Sequence, residues 1–360
     1  MTFTGSRVAD QNLIAHSEAR RQVNRARSPL YLLCNTKRFV HIEGMTPEFI
    51  TRAELDIGIE RVRERCADPV VGLYGPDSMI WRISRHSALF AGSWQAVLLQ
   101  LAHPWVANAI QQHSRTMKDP LGRFHGTFRV MFSMVFGSLD QAITQAIRLH
   151  EMHSRITGTL DEGAGRFATG SAYQANAVEA MFWVQATLWQ GSIAWYEQLV
   201  EPLSDDEKER YYAEAKVCAF LFGIPESIMP SSWKAFEAWF EETLQSDLLG
   251  VGEIGREVGD YLFKLDRLPW TKPGIPTARL ITGAALPAHL REGFGLPAPA
   301  PKKVARRLRL MKSAYRLLPR RVAYIPPYFE ALCRVNGLKK CDALTRLGNR
   351  IWIGQARLVF

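Results

Sequence analysis

The fold of this 360-residue chain is decided by the stretch from Ser138 to Gly158, SLDQAITQAIRLHEMHSRITG. Ser138 followed three residues later by Gln141 is a capping-box pattern that predicts a helix start, and Gly158 suits the left-handed residue that closes a helix. Apolar residues cover two adjoining faces, and His150 and His153 lie on or beside them. Because a helix apolar over so wide a surface is normally buried, we predict two buried imidazoles.

A buried imidazole needs partners for its ring nitrogens, since an unmet buried polar group costs about 1–3 kcal/mol. A backbone carbonyl as partner would make the histidine a structural core residue. A metal as partner would make it a ligand, and neutral imidazole is the commonest protein metal ligand. A single buried histidine is more often structural than ligating, so the residues by themselves leave both interpretations open.

The remainder of the chain shows helical spacing and almost no alternation of period two, which predicts an all-α fold. We expect one large multi-helix domain over residues 71–290, an N-terminal helical extension over 1–70 and a C-terminal helical segment over 291–360. No charged residue lies between Arg85 and Arg115, a length that could cross a bilayer. Its many amide and imidazole side chains would be expensive in hydrocarbon, so we predict a buried core helix, kinked at Pro104.

The net charge of +10 is concentrated at one end of the chain. From Arg291 onward, sixteen Lys and Arg stand against three acids. Residues 302–318 are basic and amphipathic, with an apolar stripe of Val304, Leu308, Met311, Tyr315 and Leu318. This stripe either packs on the core or contacts an anionic membrane, where each cation contributes about 1 kcal/mol. Nucleic-acid binding is not predicted, because no aromatic-basic platform or recognition helix is present.

The five cysteines are odd in number and form no CxxC pair, which argues against a disulfide framework and a cysteine-rich zinc site. This usage favours a reducing compartment. The first residues lack an apolar core followed by a cleavage site, so they do not resemble a secretory signal. We therefore expect a cytoplasmic protein, peripheral to the membrane if the basic segment docks there.

A set of short motifs carries a resemblance to a known family. In chain order they are LLQLAHP at 98–104, His113-Ser114, Arg123 with Thr127, His153-x-x-Ile156-x-Gly158, Tyr173-Gln174-Ala175-Asn176 before Trp183-Val184, Gly223-Ile224-Pro225, and Met229-Pro230. Their order and spacing resemble the MpaB-type and latex-clearing oxygenases, which are helical proteins that bind haem b. The resemblance covers over a third of the chain.

The resemblance implies a haem pocket inside the central helical domain. His153 would be the proximal iron ligand, with His150, one turn away, as the alternative ligand. Arg123 and Thr127 would be the catalytic polar groups that line the pocket. His113 would lie on the distal side or at a helix end. Haem iron accepts a histidine from a helix in an apolar pocket, so the residues agree in kind with this implication.

Three departures from the family pattern are visible in the sequence. Gly126 stands where latex-clearing proteins have a lysine that closes the distal side, so a lysine-closed state is not available. The catalytic carboxylate of the rubber-cleaving members has no counterpart, because the comparable region offers Gln111, Gln112 and His113. The Asn-Asp-Pro of the family is altered to Asn176-Ala177-Val178. These departures argue against rubber cleavage itself.

The prediction is therefore a haem-b-dependent oxidoreductase, an oxygenase that uses dioxygen on a hydrophobic, unsaturated, isoprenoid- or lipid-like molecule, with an unknown electron donor. Two alternatives remain open at this point. One is a peroxidase-like use of the same haem with hydrogen peroxide. The other is a helical haem- or lipid-binding protein without enzymatic activity.

Overall fold

The computed structural model describes residues 49–116, 118–264 and 274–358. Within these ranges the chain forms sixteen α-helices, two 3₁₀-helices and one small antiparallel sheet, so the predicted all-α class is confirmed. Residues 47–360 form one compact unit. Most of the predicted N-terminal extension lies outside the described residues, and the three predicted segment boundaries stay a prediction.

The first half of the fold consists of α1 Arg52–Arg65, α2 Met79–Ser84, a 3₁₀-helix Ser87–Gly92, α3 Ser93–Leu101, α4 Pro104–His113, α5 Pro120–Phe136 and α6 Leu139–His153. Strands β1 Thr157–Thr159 and β2 Ala172–Gln174 follow, and then α7 Val178–Leu199 and α8 Asp205–Phe220. The second half consists of a 3₁₀-helix Glu226–Ile228, α9 Trp233–Leu244, α10 Glu253–Lys264, α11 Ile275–Ala285, α12 Ala288–Gly293, α13 Pro301–Arg316, α14 Arg320–Ala323, α15 Pro326–Val335 and α16 Ala343–Ile353.

Helix α6 begins where the capping box predicts and ends earlier than predicted. The Gln141 N–H donates to Ser138 Oγ at 3.3 Å, and the Ser138 N–H donates to Gln141 Oε1 at 2.9 Å. The helix ends at His153, and Gly158 lies in β1 opposite Tyr173 of β2. The prediction that Gly158 closes the helix is therefore wrong. A three-residue strand is too short to show a period of two in the sequence.

The uncharged stretch is buried, as predicted, but it is broken rather than kinked. Helix α3 ends at Leu101, and Pro104 begins α4 at its first position, where its missing N–H costs nothing. The Ala102 carbonyl, left over at the end of α3, accepts a hydrogen bond from the Gly250 N–H at 2.8 Å. Two short helices, separated by Ala102 and the extended His103, therefore replace the single kinked helix.

Two glutamines of this stretch have protein partners, whereas neither ring nitrogen of the buried His103 has a hydrogen-bond partner among the described residues. Trp195 Nε1 donates to Gln95 Oε1 at 2.7 Å, and Gln100 Nε2 donates to Thr187 Oγ1 at 3.0 Å. These partners explain how polar groups are accommodated in a core helix. Among the described residues, no helix is both long enough and apolar enough to cross a bilayer.

Helix α7 is the centre of the core. Trp183 and Trp195 are buried in it, and Trp183 Nε1 donates to the Leu99 carbonyl at 2.8 Å, which ties α7 to α3. A buried tryptophan removes about 150–250 Å² from water, so two on one helix contribute strongly to stability. The stripe of α13 packs near Trp195 through Leu308, Met311 and Tyr315, while Leu318 is exposed, so the packed stripe ends at Tyr315.

Close packing of α1 on α8 provides a stability test. A Cβ at Gly58 would lie 2.2 Å from the Phe220 carbonyl oxygen, whereas a Cβ at Gly191 of α7 would meet no atom within 4 Å. We expect Gly58→Ala to lower the free energy of unfolding by about 1–3 kcal/mol, because the backbone of α8 must move. Gly191→Ala is the matched control, and it should leave stability unchanged or raise it by up to about 1 kcal/mol. Urea unfolding followed by circular dichroism measures both, and equal effects of the two substitutions would contradict this account of the packing.

Candidate functional site

The candidate site lies where the start of α5 meets the end of α6. Only Gly137 and Ser138 connect the two helices, so they run antiparallel as neighbours. This arrangement places Arg123, in the first turn of α5, near His153, the last residue of α6. The positive charge of Arg123 is one of the causes that lower the pKa of His153. The two residues that the sequence predicts as ligand and pocket residue are therefore brought together.

His150 and His153 are both only partly buried, so the prediction of two buried imidazoles is wrong, although one ring nitrogen of His153 is enclosed. His153 Nδ1 is buried and has no hydrogen-bond partner among the described residues. Burial, followed by the charges of Arg123 and His150, lowers its pKa to about 4. The ring is therefore neutral at neutral pH. An unpaired buried nitrogen costs about 1–3 kcal/mol, which makes this imidazole the feature of the site that calls for a ligand.

Arg123 is held in place by hydroxyl groups. Its Nη1 donates to Thr127 Oγ1, and its Nε donates to Ser114 Oγ at 3.3 Å. The Thr127 hydroxyl donates in turn to the Arg123 carbonyl at 2.9 Å. Among the residues that the structure describes, no carboxylate lies within ion-pair distance of this guanidinium. Arg123 is thus a fixed cation without an anionic partner.

Protein atoms surround much of the Arg123 side chain, but part of it remains exposed to solvent. The side chain keeps exposed surface, yet burial lowers its pKa from the ordinary value. Both facts hold for a group that protein surrounds on most sides and that water reaches from one, and this partly enclosed space beside Arg123 is hereafter called the recess. An anion bound there would interact with a partly desolvated charge, and so more strongly than at an open surface.

The first half of α5 provides an apolar wall. Phe128 packs against Phe90, with ring centroids 4.9 Å apart, and Phe90 packs against Trp352 of α16 at 4.3 Å. None of the residues from 121 to 131 is fully buried, although α5 becomes buried from Phe132 onward. A Cβ at Gly126 would find its nearest neighbour 4.0 Å away. The start of α5 therefore faces open space with aromatic walls.

His150, the alternative ligand, is engaged by protein. Asn176 Nδ2 lies 3.4 Å from His150 Nδ1 and also donates to the His150 carbonyl at 3.3 Å and to Ser154 Oγ at 2.9 Å. Charged groups of α1, among them Arg52 and Asp56, act on the His150 pKa, which burial lowers. His150 therefore lies on the α1 side of α6, whereas His153 lies on the Arg123 side.

Asn176 is a site residue to which the sequence analysis gave no role. It is buried, and it satisfies groups at the end of α6 that carries His153. The Tyr-Gln-Ala-Asn motif was visible as a landmark, but only the folded chain shows that this amide reaches α6. Ser114 was likewise visible next to His113, without a sign that it would hold Arg123.

His113 supports the loop after His153. Its Nε2 lies 3.1 Å from the Thr157 carbonyl of β1. The neighbouring Gln112 donates to the Thr159 carbonyl at 3.1 Å and accepts from the Tyr173 hydroxyl at 2.6 Å. His113 is exposed and already bonded, so its geometry is that of a strand anchor, and a role in the pocket stays a prediction.

Close packing explains why a glycine stands at the last position of the His-x-x-Ile-x-Gly pattern. A Cβ at Gly158 would lie 2.7 Å from the Tyr173 hydroxyl and 2.7 Å from Gln112 Oε1. A side chain at this position would separate β1 from the Tyr173–Gln112 hydrogen bond. The glycine therefore keeps the chain after His153 tight against α4.

The candidate site is not a cluster of several side chains that together could bind a metal ion. In the described part of the chain, no three or more His, Cys, Asp or Glu residues are grouped so that they could hold a metal ion. The candidate site instead combines one neutral imidazole, one fixed cation and apolar walls.

The amino-acid sequence of this chain matches the model of a family of oxygenase domains. The family model for the catalytic domain of ER-bound oxygenase mpaB/B′ and rubber oxygenase matches residues 81–320, two thirds of the chain, and the match includes Arg123, Thr127 and His153. The class is therefore an oxygenase catalytic domain. The chain belongs to the mpaB/rubber oxygenase family. No curated protein and no solved structure matches the chain.

Three enclosed histidines predict how stability depends on pH. Burial lowers the pKa of His86 and His153 to about 4 and that of His103 to about 3, from an ordinary value of 6.5. Below pH 6.5 the unfolded chain takes up protons that the folded chain does not, so stability is complete above pH 6.5 and falls as the pH approaches 4. Each group contributes a slope of at most about 1.4 kcal/mol per pH unit.

Urea unfolding of the purified protein without added ligand, at half-unit steps from pH 7.5 to 4, measures this loss. His153→Phe should reduce the slope between pH 6.5 and 4. An unchanged slope in that variant would show that the His153 pKa is not lowered.

Proposed function

We propose that this protein is a haem-b-dependent oxygenase that uses dioxygen on a hydrophobic, unsaturated, isoprenoid- or lipid-like substrate, with His153 as the iron ligand. One observation carries the proposal: in an oxygenase-family domain, a neutral imidazole whose Nδ1 is buried and unpaired lies beside an arginine without a carboxylate partner. The electron donor is left unassigned.

The residues present fit haem b. A porphyrin brings four ligands for its iron, so the protein need supply only one imidazole, which agrees with the absence of a multidentate cluster among the described residues. His153 is neutral, as a ligand must be. Arg123 lacks an anionic partner, and a haem carries carboxylates. The Phe90–Phe128 wall suits an apolar macrocycle.

When bound, haem would supply the dioxygen chemistry, and the protein residues would supply orientation and electrostatics. The two hydroxyls of Thr127 and Ser114 fix the Arg123 guanidinium, so its charge needs no reorganisation when negative charge develops nearby. The aromatic wall excludes water and favours an apolar substrate. The Gln112 and His113 side chains hold β1 and are already bonded.

Two features direct the proposal away from the rubber-cleaving reaction. The region comparable to that of the catalytic carboxylate offers Gln111, Gln112 and His113, and the last two support the backbone of β1. Position 126 is a glycine with open space, so no lysine reaches the recess from there. We therefore infer oxygen chemistry on a smaller unsaturated molecule, positioned by Arg123 and Thr127.

The iron ligand is tested by reconstituting the full-length protein with haem b. We expect a Soret band for the unaltered protein and a loss of haem affinity of more than about 100-fold in His153→Ala, since second-sphere changes alone cost 10–100-fold. His150→Ala, in the same helix one turn earlier, is the matched control and should retain the band. Added imidazole should restore the band in His153→Gly. A Soret band and affinity unchanged in His153→Ala would refute the proposal.

The role of Arg123 is tested through dioxygen consumption with a polyunsaturated isoprenoid as probe. Arg123→Gln should lower the turnover rate by about 100-fold, the effect of removing one preorganised donor. Arg63→Gln makes the same change on the exposed face of α1 and should leave the rate unchanged. Hydrogen peroxide in place of dioxygen and reductant measures the peroxidase alternative. Equal rates in the two variants would exclude Arg123 from the reaction.

A further inference from the structure

One face of the molecule combines dense positive charge with exposed leucines. Residues 302–321, which contain α13 and α14, carry nine Lys and Arg, and no acid occurs from 293 through 329. Eight of these cations are exposed: Lys302, Lys303, Arg306, Arg307, Arg309, Arg316, Arg320 and Arg321. In the described part of the chain, Arg321 is the one cation of this segment that lies within ion-pair distance of a carboxylate. The charge of this face is therefore largely uncompensated.

The apolar side chains on this face point away from the core. Leu310 is 54% exposed and Leu317 is 84% exposed. Leu310 lies on α13, and Leu317 directly follows the last residue of that helix. Because seven residues separate them, they share the side opposite Leu308, which packs on the core. Leu318 and Val322 continue the exposed row. An 84% exposed leucine gains nothing from the fold of this chain, and its surroundings are cationic.

The same face extends over α16 towards the candidate site. Arg321 Nη1 lies 3.0 Å from Asp342 Oδ2, which joins α14 to the start of α16. The exposed side of α16 is formed by Leu344, Leu347 and Ile351. The Ile351 carbonyl lies 3.0 Å from His125 Nε2, two residues after Arg123 on α5. The face therefore reaches the helix that carries the candidate catalytic arginine.

We propose that this face, hereafter the docking face, composed of α13, α14 and the exposed side of α16, binds the surface of an anionic lipid bilayer. Cations interleaved with leucines on a surface helix are the pattern of an interfacial helix, in which the apolar tips enter the headgroup boundary and the cations meet anionic lipid. A second copy of the chain is a poor occupant, because two such faces would bring like charges together.

Docking of this kind places the start of α5 beside the bilayer, and an apolar substrate would reach the recess without crossing water. Only this substrate route rests on the proposed function. The docking itself requires neither haem nor turnover. A vesicle-binding experiment therefore tests the docking proposal independently of the haem-binding experiment, which tests the proposed function.

The charge requirement is tested by sedimentation of the full-length protein with vesicles of phosphatidylcholine alone and with 30% phosphatidylserine. We expect binding to the anionic vesicles that weakens with salt. Arg306→Gln with Arg307→Gln should weaken it about 25-fold, about five-fold for each cation removed. Lys234→Glu on α9 changes the net charge by the same two units and should weaken it less than two-fold.

The apolar requirement is tested by a second pair of matched variants. Leu310→Ser with Leu317→Ser should weaken vesicle binding by about ten-fold, because two exposed leucines no longer enter the boundary. Ile57→Ser with Val70→Ser removes two comparably exposed apolar residues elsewhere and should have no effect. Circular dichroism confirms that all variants fold, which their exposed positions favour.

Three outcomes would overturn the proposal. The first is equal binding to neutral and anionic vesicles. The second is the same affinity in the paired α13 variants and in their controls. The third is that the unaltered protein oligomerises, and that the variant with Leu310→Ser and Leu317→Ser no longer oligomerises but still binds vesicles. This result would assign the face to a second copy of the chain.

Discussion

The two-residue connection between α5 and α6 is the constraint on which the candidate site depends. Gly137 ends one helix and Ser138 caps the next through the reciprocal hydrogen bonds with Gln141, a motif that contributes about 1 kcal/mol. So short a connection favours an antiparallel pair. This pairing sets Arg123 beside His153, although thirty residues separate them in the chain.

Side chains are buried at one end of this helix pair and partly exposed at the other. The buried end contributes to the stability of the fold, and the partly exposed end carries the candidate site residues. At the connection, Phe136 and Leu139 are buried in the common core. At the opposite end, among the described residues, Arg123 has no carboxylate partner and His153 Nδ1 has no hydrogen-bond partner. The buried end holds the helices rigidly enough to keep the open end in place. An unpaired imidazole is a cost that the ligand-free fold bears and that a bound ligand would remove.

Elements outside the family-matched range complete the site. Trp352 of α16 closes the aromatic wall of α5 through Phe90, and α1 supplies the charges around His150. Both elements lie beyond residues 81–320. The matched range therefore contains the groups proposed for the chemistry, and the flanking helices contribute to the walls around them.

Local sequence was sufficient for the features that depend on neighbouring residues. The all-α class, the start of α6 and the burial of the uncharged stretch follow from helical spacing and capping, which act over one or two turns. The resemblance added the pairing of His153 with Arg123. The reach of Asn176 to α6, the support of Arg123 by Ser114 and the packing of Tyr173 over Gly158 were decided by tertiary structure alone. These contacts join residues distant in the chain, and no local spacing encodes which distant side chains will meet.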